Sequence, residues 1–251
     1  MRTLVHLSNL RIGRCPQEKL TQLEAWLDRL QPSLIAVSGN LTATGSEYQL
    51  EQARYFLNQL PSPQLVVPGD ADVPKWDPLA RMLAPWENYE RFFGKNRTPY
   101  FADNEMVVAG LRTALAMPLS RPSLRPEEKD FLHELMKTAE PGLVKVIVSH
   151  RPVFLPDKFE PNEEDGRVFR SQVDLFVTSH LWDERHPKGL RESDTTVFVG
   201  TRPKDPIGFQ VLQIDRHHVD VNEYEWNTIQ KDFRLKQTKN IPLKVLGRKS
   251  A

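Results

Sequence analysis

The sequence predicts an α/β fold, with a largely parallel sheet at its start and an antiparallel sheet toward its end. Three observations carry this. Short apolar runs at residues 3–7, 34–37 and 65–67 alternate with two amphipathic stretches, and a βαβαβ order implies parallel strands joined by right-handed crossovers. Each run ends in a polar segment: His6-Leu7-Ser8-Asn9-Leu10-Arg11, then Ser38-Gly39-Asn40-Leu41-Thr42, then Pro68-Gly69-Asp70-Ala71-Asp72. Polar residues beyond successive buried strands are where open α/β folds build their sites. Finally, residues 195–199, 209–214 and 219–226 alternate or run apolar, as strands of an antiparallel second sheet do.

Between the first two strands, Pro16 opens a helix at a position where its missing N–H costs nothing, with Leu20, Leu23, Leu27 and Leu30 on one face. Ser46 can cap a second helix that carries Leu50, Ala53, Leu57 and Leu60. Residues 72–97 are rich in proline and tryptophan and read as an irregular cap with one short helix at 86–93. A hairpin over 100–111 turns at Asp103-Asn104. Pro126 starts a further amphipathic helix with Phe131, Leu132 and Leu135, which Pro141-Gly142 stops. Buried strands follow at 144–148 and 173–178, ending at His150 (Ser149-His150-Arg151-Pro152) and His180 (Ser179-His180-Leu181-Trp182). The organisation is one domain over 1–228 with its cap near 72–98, then a basic, solvated tail over 229–251.

Composition narrows the function classes. The chain has 251 residues with Lys+Arg 34 against Asp+Glu 33, so no global basic field argues for nucleic acid, and the basic tail is a weak pointer to it. No apolar run approaches the roughly 18 residues that span a bilayer. The single cysteine, Cys15, excludes an intramolecular disulfide framework or a cysteine-based zinc site. MRTLVHLSNL runs directly into a strand pattern and lacks the features of a secretory signal. The expectation is a soluble, cytoplasmic protein with no membrane partner. There is no G-x-S-x-G, P-loop or dinucleotide fingerprint.

HLSNLRIGR, SGNLTATG, VPGDADVP, AGLRTALAMP, VSHRPVF and VDLFVTSHLW, closed by VFVGTRP and GFQVLQID, resemble in order and spacing the motifs of the calcineurin-like metallophosphoesterase superfamily. The likeness is to the bacterial branch that contains cyclic-nucleotide phosphodiesterase-like phosphohydrolases, and it spans most of residues 3–226. It implies two mixed sheets packed as a sandwich between helices, a four-layer αββα architecture. In the family, two metal ions about 3.5 Å apart activate a bridging hydroxide against a phosphoester.

The resemblance also implies which residues stand at the metal positions. The first ion's ligand positions fall on Asn9, Arg11, Asn40 and Trp182, none of them an anionic or imidazole ligand. Arg11 brings a permanent positive charge and no lone pair. The second ion's positions fall on Asn40, Asp70, His150 and His180, which leaves two imidazoles and one carboxylate. Such a set can hold one Zn, Mn or Fe ion; the bland alternative is that both histidines are satisfied polar residues at strand ends. The family's general acid, a histidine, is matched by Ala71, and Asp72 matches the acid that would orient it. Asp183, Glu184 and His186 could replace lost ligands but read more simply as a solvated turn.

The expectation is therefore a metallophosphoesterase-fold protein without phosphoester hydrolysis, with no cofactor or at most one divalent transition metal, and with a binding or scaffolding role. The alternative is an active phosphoesterase using one ion or recruited ligands. For Arg11 two outcomes stay open: neutralisation by Asp70 or Asp72, which is favoured because buried unpaired charge is costly, or capture of a phosphate-like anion in the cleft.

Overall fold

The computed structural model describes residues 1–117, 124–151, 172–179, 197–200 and 208–243, with the side chains of 197–200 excepted. The start of the chain is built as expected. Strand β1 (Arg2–Leu7) leads through helix α1 (Gln17–Leu30) to β2 (Leu34–Val37), and helix α2 (Glu47–Asn58) leads to β3 (Gln64–Val66). Pro16 immediately precedes α1 with an extended backbone, and the helix stops at Gln31, whose left-handed backbone returns its N–H to the Leu27 carbonyl. The Ser46 hydroxyl caps α2 by accepting from the Gln49 N–H.

The cap holds two short helices, α3 (Pro78–Leu83) and α4 (Glu87–Phe93), where the sequence pattern implies one. Asp77 caps α3 and Pro78 opens it, but none of its residues is buried, so it has no apolar periodicity to read. Strands β4 (Tyr100–Ala102) and β5 (Met106–Leu111) form the expected hairpin, and α5 (Pro126–Thr138) precedes β6 (Val144–Ser149) and β7 (Leu175–Thr178). Then come β8 (Val197–Gly200), β9 (Phe209–Ile214), β10 (His218–Asn227) and β11 (Asp232–Pro242).

The sheets divide the strands differently from the sequence reading. One sheet has the order β11-β10-β9-β1-β2-β3 and the other β4-β5-β6-β7-β8. β9 pairs antiparallel with β1 from Arg2↔Ile214 to Leu7↔Phe209, so the late hairpins extend the first sheet rather than form their own. β8 pairs parallel with β7 and belongs to the other sheet. Its unbroken apolar run, Val197-Phe198-Val199, has the signature of a buried parallel strand.

The segment expected as a solvated tail is also corrected: residues 232–242 form a full edge strand, while 244–251 lie outside the described residues. β11 pairs antiparallel with β10, with a register shift between Glu223 and Tyr224. Arg234 pairs with Glu225 and Lys236 with Glu223 across the strands, while Phe233 and Ile241 are buried near its two ends. Arg234 and Lys236, two of the basic residues that suggested a tail, thus form rungs of a charged ladder on an edge strand.

Alternation along the strands produces the four layers. Val5, Leu7, Ile35 and Val37 pack on the helix side with Leu20, Leu23, Leu27, Leu50 and Leu57. Their neighbours Leu4, Leu34 and Ala36 turn to the space between the sheets and meet Met106, Val108, Val146 and Val148. Val107, Ala109 and Leu111 face the opposite way, onto Leu132 and Met136 of α5. The chain is thus an αββα sandwich of two mixed sheets, as the sequence implied.

Candidate functional site

The polar segments after β1, β2, β3 and β6 meet at one end of the sandwich. Their approach is tight: a Cβ on Gly39 would lie 2.5 Å from the Gly69 nitrogen, and one on Gly69 would lie 2.1 Å from the Asn40 nitrogen. Only glycine at both positions lets the two turns touch through their backbones. Asn9, Arg11 and Asn40 all have left-handed backbones, with φ of 56°, 48° and 54°. Asparagine tolerates this region, whereas for arginine it costs roughly 1–2 kcal/mol. Main-chain bonds hold the conformation: Asn9 N–H donates to Gly39 O and Arg11 N–H to Asn40 O, both at 3.0 Å.

Asn9, Asn40 and Ala71 are joined directly. Asn40 Nδ2 donates to Asn9 Oδ1 at 2.7 Å, and the Ala71 N–H donates to Asn40 Oδ1 at 3.0 Å. Asn9 Nδ2 reaches Ser8 Oγ at 3.3 Å. Asp72 is fully buried and acts as a clamp between two turns. It accepts from the Leu41 and Thr42 N–H groups, the Thr42 hydroxyl and the Gly69 N–H. Burial pushes its carboxyl upward against the pull of these donors.

Asp70 lies beside this clamp, 24% exposed, and its partner is Arg151. Arg151 Nε donates at 2.7 Å and Nη2 bonds the same oxygen, while the Leu115 N–H donates to Oδ1 at 2.6 Å. Burial raises the Asp70 carboxyl, but the Arg151 bond, the neighbouring His150 and the Leu115 N–H outweigh it and hold it below the usual value. The favoured pairing of Arg11 with Asp70 or Asp72 is therefore overturned. Asp70 is taken by Arg151, Asp72 by amides and a hydroxyl, and Arg11 forms no ion pair among the described residues.

His150 is fully buried at the end of β6. Its Nδ1 donates to the Ser38 carbonyl at 2.8 Å, and its Nε2 lies 3.8 Å from Asp70 Oδ2. The Ser38 bond fixes the ring so that Nε2 faces Asp70. His180 and Trp182, and with them Asp183, Glu184 and His186, lie outside the described residues. Asn9, Arg11, Asn40, Asp70, Ala71, Asp72 and His150 are all brought together.

A second polar chain runs beneath these residues and joins the sheets. His6 Nδ1 lies 3.0 Å from Gln210 Oε1, and His6 Nε2 lies 2.6 Å from Ser38 Oγ. Ser38 Oγ in turn lies 2.6 Å from Ser179 Oγ. An amide oxygen only accepts, so the His6 proton sits on Nδ1 and Nε2 accepts from Ser38. Burial pushes the His6 imidazole down to about 4, against the Gln210 bond that raises it. The sequence reading placed His6 in the core or behind the site, and it is there. Strand-end position alone does not mark Arg151 or Gln210 as site residues; the one signal for Arg151 is a cation directly after His150 in a site with one remaining carboxylate.

No family model and no curated protein sequence matches the chain. Solved structures do match. Purple acid phosphatase PPD1 from yellow lupin (Lupinus luteus) superposes with a TM-score of 0.60 at 12% identity, over 96% of this chain and 53% of that one. The chain thus spans about half the length of that phosphatase. TT1561 of Thermus thermophilus gives 0.51 at 16% identity, over 94% of this chain and 98% of that one. The calcineurin-like phosphoesterase YfkN from Bacillus subtilis gives 0.49 at 9% identity, over 100% and 92%, a likeness too loose to carry weight. At these identities the match is one of fold. The architecture is that of the metallophosphoesterases, and function must be argued from the site.

Proposed function

We propose that this chain is a metallophosphoesterase-fold protein that has given up phosphoester hydrolysis and serves as a binding or scaffolding protein. The observation that carries this is the 2.7 Å hydrogen bond between Asn40 and Asn9, closed by the Ala71 N–H. In the resemblance, these two side chains stand where a bridging carboxylate and a first-ion carboxylate would face a metal pair. Bonded to each other, the amides have used their best acceptors, and an amide nitrogen is not a ligand. A dinuclear centre does not fit this donor set. Ala71 also leaves no group to protonate a leaving oxygen, a role worth roughly 10²–10⁴-fold in rate.

One observation favours a second reading, a protein active with a single ion. Asp70 and His150 Nε2 converge to 3.8 Å, and the resemblance adds His180. A divalent ion there would need Asp70 to release Arg151, and among the described residues no group of three or more potential ligands is assembled. The binding reading is supported further by Arg11. Its backbone is bonded to Asn40 and its guanidinium makes no ion pair among the described residues, and a planar fork at a position the resemblance associates with metal and phosphate suits a phosphate-like anion. We propose such an anion as the occupant of the cleft. Nucleic acid is not favoured by the net charge of +1, and no described helix is long and apolar enough to cross a membrane.

Elemental analysis of protein purified without chelator, paired with turnover of an aryl phosphodiester in Mn²⁺, tests the proposal. The expected result is at most one metal per chain and a rate equal to that of a His150→Ala/His180→Ala control. Two ions at full occupancy, or turnover that the control abolishes, would overturn it in favour of the enzyme.

A further inference from the structure

An open depression of about 600 Å³ lies on the cap side of the molecule, between α4, the end of β5 and the start of α5, with neither Asn9 nor Asn40 in its lining. Its volume falls in the range of small-molecule sites, about 300–1,000 Å³. Arg91, Lys95, Arg112 and Arg125 line it against only Glu87 and Glu90, and Trp86, Pro85 and Ala84 supply an apolar wall.

Arg112 is the unusual member. It is 7% exposed, yet it carries a permanent charge. Its Nη1 donates to Glu90 Oε1 at 2.8 Å and its guanidinium carbon lies 5.3 Å from the centre of the Trp86 ring. Its Nε is buried without an acceptor among the described residues. One carboxylate and one ring face are a thin set of partners for a buried guanidinium, which offers five donors in a fork suited to phosphate. The Arg112 main chain is anchored as well, its backbone N–H donating to the Arg97 carbonyl at 3.2 Å. The Arg125 backbone is held at the start of α5, where Glu128 Oε2 accepts from its main-chain N–H at 2.8 Å. Arg91 is drawn partly outward by Glu47, so Lys95, Arg112 and Arg125 carry the excess positive charge.

We infer that this depression binds a phosphorylated small molecule of about nucleoside monophosphate size, with Arg112 as the buried charge, Lys95 and Arg125 as rim cations and Trp86 as the apolar wall. The inference does not rest on the proposed function, since none of these residues touches the cleft at Asn9, Asn40 and Asp70.

Isothermal titration of the full chain tests it, with adenosine 5′-monophosphate, ribose 5-phosphate and adenosine as probes. The two phosphates should bind saturably, with affinity that falls as salt rises, and adenosine should bind at least about tenfold more weakly, since loss of a charge-assisted bond costs that much or more. With Arg11→Ala present throughout, so that the proposed anion site in the cleft is removed, the two phosphates should still bind, and adding Lys95→Ala/Arg125→Ala, two exposed positions, should weaken them by at least about tenfold. Absence of saturable binding by either phosphate at millimolar concentration overturns the inference. So does binding in the Arg11→Ala background that survives the added double substitution, or binding that Arg11→Ala alone abolishes, which would place the ligand in the cleft instead.

Discussion

Arg151 and Asp70 form an ion pair that ties one sheet to the other, with Arg151 Nε 2.7 Å from Asp70 Oδ2. Arg151 follows β6 and Asp70 follows β3, and the Arg151 N–H is itself anchored on Thr113 Oγ1 at 2.8 Å. The pair stands where the resemblance puts the ligands of a second metal ion. A positive charge beside this carboxylate is thus supplied by the protein itself.

Arg151→Ala should therefore do two things. Asp70 and Arg151 are both partly solvated, so loss of the bonds should cost about 1–2 kcal/mol, less than for a fully buried pair. A chain of this size would show that as a drop of a few degrees in melting temperature. The same substitution frees the carboxylate beside His150, so zinc affinity should rise when measured by competition with a chromogenic chelator. Unchanged zinc affinity together with unchanged stability would mean the pair is incidental.

Asn40→Asp restores the carboxylate that the resemblance places between two ions, and it should not restore activity. In the structure it replaces the Nδ2 donor with an oxygen 2.7 Å from Asn9 Oδ1, so two acceptors face each other in a buried turn. A loss of about 1–3 kcal/mol is expected, detectable by urea denaturation. Diesterase turnover in Mn²⁺ should stay at the background of the His150→Ala/His180→Ala control, because Arg11 and Ala71 are unchanged. A clear gain in turnover would contradict the reading of the first site.

Acid sensitivity should come in part from His6. Its folded-state value of about 4 lies below the ordinary 6.5, so below pH 6.5 the unfolded chain takes up a proton that the folded chain refuses. Stability is full above pH 6.5 and declines as pH falls toward 4, by about 3 kcal/mol across that window. Asp70, held below its usual value, adds a second loss at still lower pH. Denaturation curves at pH 7.5 and 4.5 should show a smaller difference for His6→Asn than for the wild type. Equal differences would assign the acid lability elsewhere.

How much of this could be read from the chain depends on the kind of residue. The βαβαβ start was legible because Leu20, Leu23 and Leu27 keep helical spacing while Leu4 and Val5 mark a strand buried on both faces. The meeting of Asn9, Asn40, Asp70 and His150 was legible from strand-end position. Sheet membership of β8 and β9 was not, since alternation says which face a residue takes but not which neighbour its strand pairs with. β11 was hidden because its exposed face is charged and its pairing is expressed in cross-strand salt bridges such as Arg234–Glu225. Likewise the partner of Asp70 was misjudged: Arg11 is nearer in motif order, but Arg151 comes from the facing sheet, a proximity that only tertiary packing creates.

Arg11 gives the last prediction, now with its sign reversed. Had it neutralised Asp70 or Asp72, Arg11→Ala would have broken a buried pair and cost about 3–5 kcal/mol. With Asp70 on Arg151 and Asp72 on the Leu41, Thr42 and Gly69 donors, removing the guanidinium should change stability by less than about 1 kcal/mol. Its proposed use is recognition of an anion. Phosphate at ten times its dissociation constant should stabilise the wild type by about 1.4 kcal/mol, a rise of roughly 3–5 °C in melting temperature. Arg11→Ala should lose that rise, whereas Lys95→Ala/Arg125→Ala, which alters only the cap depression, should keep it. A large drop in stability for Arg11→Ala would revive the ion-pair reading. A phosphate response that persists in Arg11→Ala and vanishes in the cap variant would assign all the anion binding to Arg112 and leave the strand-end cleft a structural relic.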